Sequence, residues 1–390
     1  MTRGEIGPDA GRILWHYSVL NLGGAELSTI RLLEGLGRRG LAPLLALNLP
    51  GGTAEPRLGG AIEVKHLRPS AVPRPQRDGR GAVRYVAARC AQQIAAMRLR
   101  AGAPFAAAVV GLQGLSPRLV LGVPAARRLH FIRSDLGACD PDGRIVRAIR
   151  ASQSRIDAYV CVSEAARRAL LDKVPGLAGK THTIANLLDP FAIRAGAAGP
   201  SPFAPSPRLK VVTVARLVDR AKGLMRMVRV HRALLAAGLS VDWFVIGDGP
   251  DRAALERAVA SAGLAGRMHL LGARANPLPF VRAADLVAVL SCFEGLSGVI
   301  NEAKVLRRAV IATDVGGARE QLGNGGGLVV PSCERAIAEG MAGLLRDAPW
   351  RERLAATPLP AALLDDEAKL DRLIGLLLPT AAPAQGAIAC

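Results

Sequence analysis

The stretch SCFEGLSGVINEAK, Ser291–Lys304, decides the fold of this 390-residue chain. It directly follows the apolar run DLVAVL, Asp285–Leu290, which predicts a buried strand. Glu294 then opens a turn in which Gly295 supplies conformational freedom. The helical spacing of apolar residues over Val299–Leu306 predicts a helix after that turn. A strand, a glycine turn and a helix in this order are typical of an α/β sheet.

The same stretch holds two carboxylates, Glu294 and Glu302, eight positions apart. Glu294 lies in the predicted loop, and Glu302 lies one or two turns into the helix. Ser297 can cap this helix, whose free N–H groups form a ready anion site. A carboxylate on each side of such a site suits a ligand with hydroxyls at both ends and phosphate between, as in a nucleotide sugar. The alternative is that both are ordinary helix charges, because this spacing often arises by chance.

The length and composition predict a packed protein of two domains that lacks a metal site. A chain of this length exceeds one ordinary core, and half of its residues are hydrophobic. Aromatic residues make up only 3%, which argues against a stacking platform for nucleic acid. The six cysteines are scattered without a CxxC pair, which argues against a metal cluster or a disulfide framework and favours a reducing compartment.

No targeting or membrane-spanning segment is evident in the sequence. The start, MTRGEIGPDAGR, lacks the apolar core of a signal peptide. No apolar run reaches the roughly 18 residues of a membrane span. We therefore expect a cytoplasmic protein, or one that is peripheral on the inner face of the cell membrane.

Most of the formal net charge of +19 lies in the first half of the chain. A basic surface there could meet anionic lipid headgroups, nucleic acid or an acidic acceptor, or it could simply be rich in arginine. The segment RGAVRYVAARCAQQIAAMRLR, Arg80–Arg100, predicts a basic amphipathic helix and is the best candidate for a membrane surface. The alternative for this segment is a merely solvated helix.

The first half alternates strands with helices. The predicted strands are Arg12–Tyr17, Leu41–Leu47, Ala61–Leu67, Phe105–Leu112, Arg128–Ile132, Ile156–Ser163 and Thr181–Asn186. The first strand leads into Gly23 and Gly24, a turn that can bring the backbone close to a phosphate or sugar, or that serves geometry alone. His130 lies at the end of a predicted strand, where it could reach a sugar hydroxyl or be structural. Pro69–Gly81 predicts an exposed loop.

The second half repeats the pattern after Ala195–Pro207, which is dense in Gly, Ala, Ser and Pro and predicts a domain boundary. Its predicted strands are Leu209–Ala215, Val241–Ile246, Met268–Leu271, Leu286–Leu290, Ala309–Thr313 and Leu328–Pro331. The two halves predict two Rossmann-like parallel-sheet α/β domains facing a cleft that binds ligand. We predict domains over residues 1–200 and 208–358, and a C-terminal helix with a tail over residues 359–390.

Arg216 and Lys222 flank a strand-to-helix turn, six residues apart. Two cations at this place could hold both phosphates of a diphosphate and neutralise charge as it leaves. The alternative is a pair of surface cations in an arginine-rich chain.

Several common motifs are absent from the sequence. GDGP follows a strand, but Arg252 stands where GxGxxG requires glycine, which argues against a hydride-transfer enzyme. No GxxxxGK[ST], HExxH or GxSxG motif occurs, and no convincing DxD supplies carboxylates for a cation. We therefore expect no metal and no cofactor.

The chain resembles the group 1, GT4-like, retaining glycosyltransferases of GT-B architecture, which build bacterial surface polysaccharides and glycolipids. The resemblance covers nearly the whole chain and rests on motifs in a characteristic order and spacing. The motifs are GGAE (Gly23–Glu26), CVSEAARRAL (Cys161–Leu170), IANLLDP (Ile184–Pro190), VTVARLVDRAKG (Val212–Gly223), VIGDGP (Val245–Pro250), EGLSGVINEA (Glu294–Ala303) and ATDVGGARE (Ala312–Glu320).

The resemblance implies a metal-independent transfer of a hexose-type sugar from a nucleotide-diphosphate sugar, with retention of anomeric configuration. The acceptor would be a glycan, a lipid-linked molecule or a small molecule, and no nucleic acid is expected. Glu294 would hold sugar hydroxyls, Glu302 the ribose, and Arg216 with Lys222 the diphosphate. Backbone amides around the sugar and diphosphate would come from Gly295, Leu296, Ser297, Gly298 and Val299.

The remaining implied contacts come from other loops. Gly272 and Arg274 would lie near the nucleobase, and the Gly23-Gly24 loop would close over the donor. His130 is similar to the family's first-domain histidine near the sugar. The implied catalytic residues are Glu294, His130, Arg216 and Lys222. The last predicted helix, Asp366–Leu378, would return towards the first domain.

The chain departs from the family pattern in places. Ser297 stands where the family often has proline, the segment LHFIRSD around His130 is a loose match, and Arg68–Arg100, where acceptor choice is expected, matches nothing. Two alternatives remain open. One is a sugar-nucleotide epimerase or hydrolase of the same architecture, and the other is a non-catalytic basic protein that binds membrane or nucleic acid.

Overall fold

The computed structural model describes residues 11–21, 23–60, 62–69 and 79–378. Contacts divide the chain into two units. The first unit contains the residues up to Val162, Arg167–Ile184 and the residues from Glu367 onward, and the second contains Ser163–Ala166 and Ala185–Asp366. Residues 185–200, predicted within the first domain, thus group with the second unit.

Each described strand belongs to one of two parallel sheets. In chain order the strands are β1 (Arg12–Tyr17), β2 (Ala42–Leu47), β3 (Glu63–His66), β4 (Phe105–Val110), β5 (Ala125–Ile132), β6 (Ala158–Cys161), β7 (Thr181–Thr183), β8 (Leu209–Val214), β9 (Val241–Ile246), β10 (Met268–Gly272), β11 (Leu286–Val289), β12 (Val310–Thr313) and β13 (Leu328–Val330). Within the described residues, the first unit has a seven-stranded sheet in the order β3-β2-β1-β4-β5-β6-β7. The second unit has a six-stranded sheet in the order β10-β9-β8-β11-β12-β13.

Helices connect the strands in both units, as parallel pairing requires. In chain order they are α1 (Gly24–Arg38), α2 (Gly79–Ala101), α3 (Arg118–Gly122), α4 (Leu136–Cys139), α5 (Arg144–Ser152), α6 (Glu164–Lys173), α7 (Pro190–Gly196), α8 (Asp219–Lys222), α9 (Leu224–Ala236), α10 (Arg252–Ser261), α11 (Leu278–Arg282), α12 (Gly298–Val305), α13 (Ala318–Leu322), α14 (Glu334–Arg346), α15 (Ala348–Ala356), α16 (Ala361–Leu364) and α17 (Asp366–Leu377). Three 3₁₀ turns span Glu55–Arg57, Gln153–Arg155 and Pro175–Lys180.

The prediction of two parallel-sheet α/β units is confirmed, and the predicted strands all form, β1 and β9 with the predicted bounds and the others with shifted ends. The strands are near-continuous apolar runs because helices cover both faces of a parallel sheet. Trp15 at the centre of β1 and Trp243 in β9 are both fully buried. The helix predicted over Arg80–Arg100 is confirmed as α2, whereas residues 70–78 of the predicted loop, with Ala61 of the third predicted strand, lie outside the described residues.

One segment differs from the prediction. The domain boundary predicted over Ala195–Pro207 begins inside a helix, because α7 extends to Gly196 and contacts α11 and α12 of the second unit. Asp189 caps α7 because its carboxylate accepts a hydrogen bond from the Ala192 amide at 2.9 Å, and Pro190 occupies the first turn.

The strand order reverses between β1 and β4 in the first sheet and between β8 and β11 in the second. Loops that leave neighbouring strands in opposite directions at such a switch point open a crevice at the strand carboxyl ends. In the second unit, the two loops concerned begin after Val214 and Val289. These loops and the helices that follow them, α8 and α12, carry most of the predicted site residues.

No helix in the described part of the chain combines the length and apolar character needed to cross a bilayer.

Candidate functional site

A cleft in the second unit opens at the carboxyl ends of β8 and β11. Its empty volume is about 270 Å³, including space open to solvent. Residues that line it include Thr213, Lys222, Ser291, Glu294, Ser297 and Val299. The cleft therefore lies at the switch point of the second sheet, where ligand is expected in an open α/β fold.

A charge pair dominates this cleft. The Lys222 ammonium donates to Glu294 Oε1 at 2.5 Å, and the Ser291 hydroxyl donates to the same oxygen at 2.7 Å. The side chains are only 25% exposed for Lys222 and 17% exposed for Glu294. Partial burial reduces solvent screening, so the pair is oriented more firmly than an exposed one. The ammonium has two further N–H donors, and Glu294 has a second carboxylate oxygen.

The backbone ties the two loops of this pair together. The Cys292 amide donates to the Ala221 carbonyl at 2.8 Å. The buried Arg226 guanidinium donates to the Leu290 carbonyl at 2.7 Å. Gly223 adopts φ +63°, and a Cβ atom there would lie 2.7 Å from the Leu290 carbonyl oxygen. These contacts fix the position of Lys222 relative to Glu294.

The first turn of α12 forms another wall of the cleft. Ser297 is its N-cap residue but makes no side-chain capping bond, and the first amides of a helix have no intrahelical partner. The fully buried Gln321 holds this turn, because its amide nitrogen donates to the Ser297 carbonyl at 2.7 Å and to Asn301 Oδ1 at 2.6 Å. The amide end of α12 is thus held in place beside the charge pair, where it can bind an anion.

The glycines of the DVGGARE motif pack against the Glu294 loop. The Gly317 amide donates to the Gly295 carbonyl at 2.9 Å, and the Ser163 hydroxyl donates to the same oxygen at 2.9 Å. A Cβ atom on Gly316, which adopts φ +53°, would overlap the Glu294 carbonyl. Only glycine allows this approach, which explains the Gly-Gly pair after β12.

The sequence reasoning did not assign roles to Ser291, Gln321 or Glu320. The Glu320 carboxylate accepts hydrogen bonds from the Glu164 and Ala165 amides, at 2.9 and 2.8 Å, at the start of α6. The S-x-x-E spacing of Ser291 and Glu294 was a visible signal of a local hydrogen bond. The contacts of Gln321 and Glu320 join residues far apart in sequence, and no local pattern indicates them.

The other predicted residues of the second unit are more dispersed. Arg216 is exposed just after β8, and Arg274 is exposed after β10. Gly272 ends β10 with φ +74°. Glu302 is half-buried on α12 and is not among the residues that line the cleft. Of the predicted residues, the structure therefore brings together Lys222, Glu294, Ser297 and Val299 around the cleft, whereas Gly295, Leu296 and Gly298 are not among its lining residues. The ribose, nucleobase and second phosphate contacts stay predictions.

The predicted residues of the first unit lie at strand ends of their own sheet. Gly23 and Gly24 begin α1 after β1. His130, near the end of β5, is only 1% exposed, and burial lowers its pKa to about 4. Among the residues that the structure describes, none makes a hydrogen bond of full geometry to its ring nitrogens, although backbone groups of Leu112 and Gln113 oppose the pKa shift. The ring is thus neutral at pH 7, and its catalytic role stays a prediction.

Metal-binding groups do not cluster in the described part of the chain. Among those residues, no three His, Cys, Asp or Glu side chains lie close enough together to hold a metal ion.

The geometry can be compared with known proteins. A family model described as "Glycosyl transferases group 1" matches residues 208–347. Over these residues the chain is similar to the group 1 glycosyltransferases. The matched region contains β8 to β13 and the Lys222–Glu294 cleft, so the resemblance to group 1 glycosyltransferases read from the sequence is confirmed over this part of the chain.

Two curated glycosyltransferases are similar to part of this chain. The alpha-D-kanosaminyltransferase of Streptomyces kanamyceticus is 32% identical over 161 residues, which are 40% of this chain and 42% of the relative. The N-acetylgalactosamine-N,N'-diacetylbacillosaminyl-diphospho-undecaprenol 4-alpha-N-acetylgalactosaminyltransferase of Campylobacter jejuni is 28% identical over 165 residues, 42% of this chain and 44% of the relative. The chain spans less than half the length of both.

A solved structure matches over far more of the chain. HepE of Anabaena, in complex with UDP and glucose, aligns with a TM-score of 0.72 over 93% of this chain and 97% of HepE, at 20% identity. This match shows that both units of the chain have the GT-B type of glycosyltransferase fold.

Proposed function

We propose that this protein is a retaining, metal-independent glycosyltransferase. It moves a hexose-type sugar from a nucleotide-diphosphate sugar to a glycan, lipid-linked or small-molecule acceptor in the synthesis of a surface polysaccharide or glycolipid. The observation that carries the proposal is the Lys222–Glu294 pair, held beside the open amide end of α12 in the cleft of the group 1 domain.

The donor fits this arrangement as an anion with a neutral sugar attached. The second oxygen of Glu294 accepts a sugar hydroxyl, and the remaining Lys222 N–H groups and the first amides of α12 receive diphosphate oxygens. Arg216, exposed after the neighbouring strand β8, adds a second cation for the nucleotide. As the diphosphate leaves, its added negative charge is stabilised by these donors without reorganisation of the site.

Support for this donor class comes from the comparisons. HepE, which shares the fold, binds UDP and glucose together. The Campylobacter relative is named for an acceptor linked to diphospho-undecaprenol, which favours a lipid-linked acceptor among the three classes.

Retention is supported by the names of the curated relatives, both of which specify alpha-glycosyl transfer. The common hexosyl nucleotides carry an alpha-linked diphosphate, so an alpha product keeps the configuration. In the proposed reaction the acceptor oxygen attacks the anomeric carbon on the face that the diphosphate leaves. The new glycosidic bond forms as the bond to the diphosphate breaks, and the acceptor proton passes to the departing diphosphate.

The test is an assay of UDP-, GDP- and ADP-hexoses with the purified protein, with and without a metal chelator. We expect one nucleotide class to release its nucleoside diphosphate, slowly to water and faster to a suitable acceptor, and proton NMR to show an alpha product. An epimerase would change the sugar without release. Release that requires a divalent cation would overturn metal independence, and a beta product would overturn retention.

Two substitutions test the charge pair itself. Glu294→Gln and Lys222→Met each remove one charge while keeping the side-chain size, and we expect kcat/KM to fall at least about 100-fold, or roughly 3 kcal/mol. The matched control is Arg229→Met, which breaks the exposed Arg229–Glu334 ion pair of the same unit. Unchanged rates in both site variants, or an equal loss in the control, would remove the assigned site.

A further inference from the structure

The outer face of α2 carries an unusual concentration of exposed apolar side chains. Val83 is 70% exposed, Val86 58%, Ile94 46% and Met97 53%. In the described part of the chain, the only other large hydrophobic side chain with comparable exposure is Phe191 on α7, at 81%. Scattered single residues of this kind need no explanation, but four on one helix do.

These four side chains form one stripe. They are spaced by three, eight and three residues, and at 100° per residue they fall within a sector of about 80°. The exposed Cys90 lies inside the same sector. We call the residues Val83, Val86, Cys90, Ile94 and Met97 the outer stripe.

The opposite face of α2 is the one that packs on the first unit. Ala88, Ala96 and Leu99 are buried there, and the last two belong to a core cluster with residues of β1, β2 and β4. The helix therefore buries mostly small side chains and presents its larger apolar ones outward. Hydrophobic anchoring to the sheet does not explain the outer stripe.

Arginines flank the outer stripe on both sides. Arg84 and Arg98 lie on one side of it and Arg89 on the other, and all three are exposed. The sequence Gly79–Ala101 contains no acidic residue. The stripe with its flanking cations is complementary to a surface that has negatively charged groups on its outside and an apolar layer beneath them.

We propose that the outer stripe of α2 lies on an anionic lipid bilayer surface. Apolar side chains would enter the boundary of the acyl chains, and the arginines would contact lipid phosphates. A helix of 23 residues offers about 34 Å of contact parallel to the membrane. A nucleic acid would use the arginines but leave the apolar stripe exposed. A second copy of this chain would place like charges against each other along both edges of the stripe.

The test uses the full chain in flotation with vesicles of phosphatidylcholine alone and of phosphatidylcholine with 30 mol% phosphatidylglycerol. We expect binding to the anionic vesicles that weakens as salt rises. The variant Val86→Ser, Ile94→Ser, Met97→Ser should bind at least about tenfold more weakly, because its stripe is polar. The control Phe191→Ser removes the other exposed apolar side chain and should bind as the parent does.

The charge component has its own variant and control. Arg84→Gln, Arg89→Gln, Arg98→Gln should lower binding to the anionic vesicles more than tenfold and flatten its salt dependence, since each arginine near such a surface contributes roughly fivefold. The control is Arg144→Gln, Arg335→Gln, which alters two exposed arginines elsewhere. It should leave vesicle binding near the parent value.

Three outcomes would overturn the proposal. The first is no binding of the parent protein to anionic vesicles. The second is a loss in either control equal to that in the matching α2 variant. The third is a parent dimer in light scattering that the serine variant converts to a monomer while vesicle binding is unchanged, which would make the stripe a self-association surface. Because the serine variant leaves the Lys222–Glu294 cleft untouched, its activity on a soluble donor should equal the parent's.

Discussion

The two units share one architecture, but they differ in whether the polar groups at their strand ends are exposed or buried. In the second unit, Lys222 and Glu294 meet in a cleft that reaches solvent. In the first unit, His16, His130 and Arg133 at the ends of β1 and β5 are buried. A parallel sheet with a switch point therefore provides a place for a site, but the side chains decide whether that place is open.

Two of these buried groups in the first unit, His16 and Arg133, have specific hydrogen-bond partners. His16 Nε2 lies 3.1 Å from Asn48 Oδ1, and the Arg133 guanidinium donates to the Gly111 carbonyl at 3.1 Å. Burial lowers the pKa of Arg133 and raises that of Tyr17. Burying polar groups is costly unless they are paired, so these two hydrogen bonds offset part of the cost of burying His16 and Arg133.

Of the changes that test this difference between the units, we expect the largest loss of stability from Gly316→Ala in the second unit. The new methyl group would overlap the Glu294 carbonyl and would sit at a positive φ, so the Glu294 loop must move. We expect the free energy of unfolding by urea to fall by roughly 3 kcal/mol and transfer activity to fall with it. The control is Gly325→Ala, which also has a positive φ but open space around the new atom, and should cost only about 1 kcal/mol. Equal costs would show that the approach to Glu294 is not tight.

Acid should destabilise the first unit through its two buried histidines, His16 and His130. Burial lowers the pKa of both His16 and His130 from 6.5 to about 4, so between these values the unfolded chain binds more protons than the folded one. Stability is therefore fully present above pH 6.5 and is lost as the pH falls towards 4. We expect each ring to cost roughly 2 kcal/mol on going from pH 6.5 to pH 5.

Urea unfolding at several pH values measures this loss. His130→Phe should unfold with a shallower pH dependence than the parent, by up to one proton. The same slope in both proteins would mean that His130 is not held neutral by burial.

The smallest effect that we predict concerns Ser291, which orients Glu294 by one hydrogen bond. Ser291→Ala should lower kcat/KM about fivefold, the value of roughly 1 kcal/mol for such a bond. Ser291→Thr keeps the hydroxyl and should recover most of the loss, whereas the exposed Ser240→Ala should change nothing. An alanine variant as active as the parent would show that Lys222 alone orients the carboxylate.

Much of the fold could be predicted from the sequence, because parallel strands buried on both faces are apolar runs bounded by turn residues. Helices were harder to locate. The Asp189-Pro190 cap that starts α7 was present in the sequence, yet α7, α14 and α15 were not predicted. In these segments the helix signals depend on caps and on packing rather than on a strong local period.

The sequence could predict which residues belong to the site, but it could not predict which of them contact each other. Lys222 and Glu294 were assigned to different parts of a ligand, and their mutual contact joins residues 72 positions apart. That contact follows from the pairing of β8 with β11, which a local pattern cannot give. The burial of His130 was equally invisible, because its exposure depends on residues from neighbouring strands such as Tyr159.

The helix α17 has a consequence for how the protein is made. Residues from Glu367 onward group with the first unit, where Leu370, Leu373 and Leu377 are buried and Arg39 bonds Asp371 at 2.7 Å. On the ribosome the sheet of the first unit emerges before the second unit, yet it lacks this helix until the residues of the second unit have been synthesised. The second unit, whose residues emerge as a nearly uninterrupted run, can finish folding earlier, so of the two units the one that is begun first is completed later.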